Sequence, residues 1–211
     1  MTSKYMLINR YIVKEGMEEE IQSFVSQRVE SAPDRSSFYV SEQKDEIIEF
    51  VGYRSIIDLN NDEENIASTF VDFKNYICGD VRRELIKYVE SPIASTTAFP
   101  LTPFVQLRHV EVLPAAYDAY LTWRDNTIFN VVRENSGLVE SFDAYHSIIS
   151  GVPGVMFISC FSENISDYLI PFTDERYKKI ISEAGDSYIT GGDAGLYTKV
   201  YKKVAANTME D

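Results

Sequence analysis

The side chains best suited to chemistry sit in the second half of the chain: His109, Trp123, Arg124, Asp143, Tyr145 and His146. The first half offers Asn9, Arg10 and Tyr11 in one run and has no histidine. An imidazole titrates near neutrality, so His109 and His146 are the candidate catalytic residues, each able to accept or pass a proton. Trp123, Arg124, Tyr145 and Tyr11 are the candidate ligand-binding residues, because aromatic rings and a guanidinium can together frame a small aromatic or anionic molecule. For each histidine the competing reading is a hydrogen-bonded packing residue. Metal chemistry has little to build on. Two histidines and two scattered cysteines, Cys78 and Cys160, give no ligand spacing, so neither a metal nor a cofactor is expected. The sequence carries no glycine-rich phosphate loop, nucleophile elbow or His-Glu-x-x-His motif. Cys160, inside "VMFISCF", reads as a small core residue, and Cys78 as packing at a helix end.

These residues must be positioned by strands and helices. Alternation in "YMLINRYIV" predicts a strand over 5–14, closed by Gly16. "EEEIQSFVSQRVES" predicts a helix with three glutamates at its positive end. "SFYVSEQ" and "IIEFVGYRS" predict a hairpin. "NDEENIASTFVDFKNYI" predicts a helix with Ile66, Phe70, Phe73 and Ile77 on one face, started by an Asn61–Glu64 capping box. "RRELIKYVES" predicts a strand. After "SPIASTTAFPLTP", which suits a connection, the order recurs. "FVQLRHVEVL" predicts a strand, Pro114 the first turn of a helix, and "AAYDAYLTWRDNTIFNVVREN" that helix, closed by Gly137. "LVESFDAYHSII" and "VMFISCFS" predict a hairpin around "SGVPG". A helix broken near Pro171 follows, then a turn at Gly191–Gly192 and a last strand, "AGLYTKVYKKV". Strand alternation places Arg108 and His109 on opposite faces, and likewise Tyr145 and His146.

The order β-α-β-β-α-β thus occurs twice: over 1–90 and 104–205, with a linker at 91–103 and a tail at 206–211. Sliding the first strand by 98 positions pairs Arg10 with Arg108 and Tyr11 with His109. Each copy is a ferredoxin-like unit whose uncovered sheet face needs burial, and two units in one chain can cover each other. The fold class expected is α+β, with two tandem ferredoxin-like domains whose antiparallel sheets pack face to face. "FVQLRHVEVLPAAYDAYLTW" and "SGVPGVMFISCF" resemble tandem members of the dimeric α/β-barrel superfamily related to antibiotic-biosynthesis monooxygenases and NIPSNAP-type proteins. The resemblance implies an intramolecular dimeric α/β barrel with a cavity between sheet and helices. In some relatives such a cavity oxidises aromatic substrates without a cofactor.

Composition narrows the partners. Net charge is −13, spread as −7 over 1–90 and −6 over 104–211, which disfavours nucleic acid and anionic membrane surfaces. There is no apolar run long enough for a transmembrane helix, and a strand pattern starting at Tyr5 leaves no room for a signal peptide. A cytoplasmic protein is expected, monomeric with an internal pseudo-dimer and open to further self-association at its strand edges. Function reads first as binding of a small apolar or aromatic molecule in a sheet–helix pocket. The alternatives are a cofactor-independent monooxygenase acting on an aromatic or polyketide-like substrate, and a structural module without a ligand.

Overall fold

The computed structural model describes residues 2–190 and 196–206; the expected turn at Gly191–Gly192 and nearly all of the expected tail lie outside these. The first half runs β1 (Tyr5–Ile12), α1 (Glu18–Ser31), β2 (Ser37–Ser41), β3 (Glu46–Tyr53), α2 (Ile56–Asn61), α3 (Glu63–Phe73) and β4 (Arg82–Ile93). The second runs β5 (Phe104–Val110), α4 (Tyr117–Asn126), α5 (Ile128–Glu134), β6 (Ser141–Ile149), β7 (Val155–Phe161), α6 (Ile165–Leu169), α7 (Glu175–Ser187) and β8 (Leu196–Lys203). Short 3₁₀ turns precede α4 at Pro114–Ala116 and follow α6 at Ile170–Phe172, each with a proline where the missing N–H costs nothing.

Both halves have the expected β-α-β-β-α-β order, and in space each sheet reads fourth, first, third, second strand. The sheets do more than lie face to face. β2 pairs with β8 and β4 with β6, so the eight strands close into one antiparallel barrel with all helices outside. Closure leaves no free strand edge among the described residues, which removes the expected edge route to self-association.

The barrel interior is an apolar core drawn from both halves, including Ile8, Phe50, Leu107, Tyr145 and Ile158. Separate apolar layers lie between each sheet and its own helices. One barrel end is stoppered by the connection after β4. Phe99 joins the interior core and Tyr39 donates to the Thr102 carbonyl at 2.8 Å. Gly52 lets this connection seat: a Cβ there would stand 2.4 Å from the Ala98 carbonyl oxygen. The other end is open and polar.

The structure corrects several local expectations. β4 continues to Ile93, into the segment read as a connection. The capping box is Ser55–Asp58, opening α2, whereas Asp62 precedes α3 without a side-chain cap. The helix after Pro114 breaks at Thr127 and ends at Glu134, short of Gly137. The first strands of the two halves correspond with a shift of 99 rather than 98: Val13, just after β1, bridges Ile77 as Val112, just after β5, bridges Ile189. A slip of one residue moves every side chain to the other sheet face. The counterpart of Arg10 is therefore His109, both facing the barrel interior, and the counterpart of Asn9 is Arg108, both facing helices.

Candidate functional site

Between the second sheet and its helices lies a cavity of about 250 Å³. Alternation along β5 aims Gln106, Arg108 and Val110 at the helices, and α7 presents Tyr177, Ile181 and Ala184 along one stripe. The break at Pro171 turns the chain so that Leu169, Phe172 and Thr173 close one side, and Trp123 of α4 closes another. The walls are mainly apolar and aromatic.

Arg108 is the exception. It is buried, its Nε donates to Gln106 Oε1 at 2.6 Å, and its Nη1 donates to the Tyr177 hydroxyl. Its guanidinium lies over Phe172, 4.4 Å from the ring centre. Among the described residues it has no carboxylate partner. A buried cation held only by neutral groups and ring faces still lacks the counter-charge that would offset its desolvation. The Trp123 indole N–H is also buried, without an acceptor among the described residues. Below Arg108, the Tyr168 hydroxyl sits 3.0 Å from Gln106 Oε1 and 2.8 Å from Ser159 Oγ, and burial pushes its pKa up to about 12. It is thus a fixed neutral donor that orients Gln106.

The residues expected to form the site are dispersed. Trp123 lines the cavity. Arg124, one position on, turns instead to Glu90 and to the faces of Phe129, Tyr120 and Phe157. His109 points into the open barrel end, where its Nε2 lies 2.9 Å from the Pro153 carbonyl. A carbonyl only accepts, so Nε2 carries the proton. Tyr145 is interior core, edge-on to Tyr88. His146 is exposed on the outer face beside Tyr117. Tyr11 belongs to the first half, stacked 4.0 Å from Phe73 and donating to Glu49 at 2.7 Å. His109 is the better buried histidine, as expected, but it faces away from the aromatic helix layer. Strand parity gives that place to Arg108. Arg108, Tyr177 and Phe172 were not selected from sequence; the opposed faces of Arg108 and His109 were the available signal.

No cluster of three His, Cys, Asp or Glu side chains suited to a metal ion occurs among the described residues. Cys160 is buried, which pushes its pKa up to about 11, whereas Cys78 is exposed and not the packing residue expected. Thiolate is the reactive form. A thiol-exchange reagent at pH 8 should therefore titrate one cysteine in the native protein and two in denaturant, with Cys78 identified by peptide mapping. Two fast native thiols would contradict this placement.

The architecture is that of the dimeric α/β barrels, with both ferredoxin-like units in one chain. It is similar to a candidate monooxygenase from Fusobacterium nucleatum subsp. nucleatum (12% identity, 96% of this chain and 93% of that one, TM-score 0.69). It is also similar to an anthrone oxidase-like protein (13% identity, 94% and 90% coverage, TM-score 0.65). A third similar structure is an uncharacterized ferredoxin-fold protein from Listeria monocytogenes related to antibiotic biosynthesis monooxygenases (6% identity, 95% of this chain and 95% of that one, TM-score 0.52). At these identities the likeness establishes the shared fold. No family model and no curated protein sequence matches the chain. No helix of the described residues is long and apolar enough to cross a membrane.

Proposed function

We propose that the second half binds a small aromatic molecule bearing an acidic hydroxyl or enol in the cavity between sheet and helices. The observation that carries this reading is Arg108, a buried guanidinium on the cavity wall with no carboxylate partner among the described residues. A phenolate or enolate would supply the missing charge, while Phe172, Tyr177 and Trp123 receive the ring. The corresponding layer of the first half is occupied by Tyr11, Phe73 and Phe38.

A second reading is cofactor-independent oxygenation of such a molecule, favoured by the monooxygenase and anthrone oxidase-like descriptions of proteins sharing the fold. Arg108 would then hold the substrate as its anion. Among the described residues the cavity walls carry no histidine or carboxylate, so in this reading the proton would leave to solvent.

Trp123 is the only tryptophan and lines the cavity, so its fluorescence reports occupancy directly. Titration with 4-nitrophenol should quench it saturably and enrich the visible-absorbing phenolate, and Arg108→Met should abolish that enrichment. Unquenched fluorescence, or equal phenolate enrichment in the variant, would refute the binding reading. Oxygen uptake with anthrone, in the absence of added cofactor, separates the two readings. We also infer that the closed barrel makes a single chain self-sufficient, which light scattering at low concentration checks.

A further inference from the structure

The open end of the barrel holds a separate cavity of about 710 Å³, unused by the reading above. Its inner layer combines Arg10, Glu46 and Glu84 of the first half with His109, Tyr197 and Lys199 of the second. The carboxylates there are well served. Glu46 accepts from Arg10 at 3.1 Å, Lys199 at 2.6 Å and Tyr201 at 3.1 Å. Glu84 accepts from Arg10 Nε at 2.9 Å and from Ser150 at 3.3 Å. Asp45 accepts from Ser41 at 2.5 Å and Lys199 at 3.4 Å.

Two of the arginines are less so. Arg10 spends its Nε and Nη1 on these carboxylates and Tyr201, leaving Nη2 without a hydrogen bond among the described residues. Arg82, one strand over and paired with Arg10 in register, is exposed on the rim with neither ion pair nor side-chain hydrogen bond there. The residual capacity of this end is thus for an acceptor, although the whole chain is acidic. Ile12, Val152 and Met156 line the same space.

The site is also held rigidly. The β6–β7 turn on its rim is fixed by the His109–Pro153 hydrogen bond and by Gly154, at φ +138. A Cβ at Gly154 would stand 2.5 Å from the Val110 carbonyl oxygen and 2.9 Å from His109 Nε2. We propose that this barrel end binds a small organic carboxylate, its carboxyl group on Arg10 and Arg82 and its apolar body on Ile12, Val152 and Met156.

Calorimetric titration with phenylacetate tests this. The wild type should give saturable heat at millimolar concentration, and Arg82→Ala should weaken binding about tenfold, with Arg82→Lys retaining part of it. Arg82 is exposed, and a melting curve confirms that the variants fold. Trp123 fluorescence should stay constant throughout, because the tryptophan lies outside the barrel. Absence of saturable heat, or equal affinity in Arg82→Ala, would overturn the proposal. So would quenching of Trp123 in step with binding, which would place phenylacetate in the other cavity. Inorganic phosphate binding as tightly as phenylacetate would refute an organic ligand.

Discussion

Truncating Glu90 to alanine should cost about 3 kcal/mol of stability, while replacing its partner by Arg124→Met should cost under about 1 kcal/mol. The asymmetry follows from burial. Arg124 is 1% exposed, set among the faces of Phe129, Tyr120 and Phe157, and Glu90 is its ion-pair partner. The Glu90 side chain is 45% exposed. Without Glu90, a guanidinium remains inside an aromatic layer with no counter-charge. Without Arg124, the carboxylate turns to water and the unbranched methionine fills the space between the rings. The double variant should recover most of the loss. Urea unfolding of the four proteins gives the coupling directly, and equal costs for the two single changes would rule out this account. Because Glu90 lies on the last strand of the first half and Arg124 on a helix of the second, the pair also ties the halves together.

Phe73→Ala should cost about 3–5 kcal/mol. Phe73, the last residue of α3, is fully buried, stacked on Tyr11, edge-on to Phe24 at 5.1 Å and beside Phe38. Strand β1 lies in mid-sheet, where collapse into the vacated space would have to move a hydrogen-bonded backbone. The cavity should therefore persist. Thermal unfolding by calorimetry, with Phe73→Leu as the smaller change, measures the cost. A loss below about 1 kcal/mol would mean that the layer is far less tightly packed than the ring stacking implies.

Phe73 also shows where the sequence could be read and where it could not. Helical spacing picked out Phe73 correctly, yet it also chose Phe70, which is 41% exposed, over the buried Thr69, and it extended the helix to Ile77, which is buried but lies beyond α3 in a bridge to Val13. Hydropathy favours the phenylalanine, but the angle of α3 across the sheet decides. Element order survived in both halves because alternation, prolines and glycines act locally. Trp123 was legible because an aromatic residue on an amphipathic helix beside a sheet has few other places to go. Arg108 was not, because a strand residue's face depends on a register fixed only when the strands pair. The barrel itself was expected from the family resemblance, but the seams that close it were equally hidden. They join β2 to β8 and β4 to β6, and no local pattern records a partner so far along the chain.

The two seams that close the barrel are unequal. β4 and β6 pair from Leu85–Ile149 to Ile93–Phe142, whereas β2 meets β8 only at Tyr39–Lys203, Val40–Lys202 and Ser41–Tyr201. The shorter seam joins segments from opposite ends of the chain, so its closure carries the larger loop entropy and the fewer backbone bonds. Amide hydrogens of β2 should therefore exchange through a lower-energy opening than those of β6, and the barrel should unzip there first. The ion pairs from Lys199 to Glu46 and Asp45, and the Arg10–Tyr201 hydrogen bond, cross between the halves beside this line. At that seam, side chains add to a short backbone ladder in holding the ring shut.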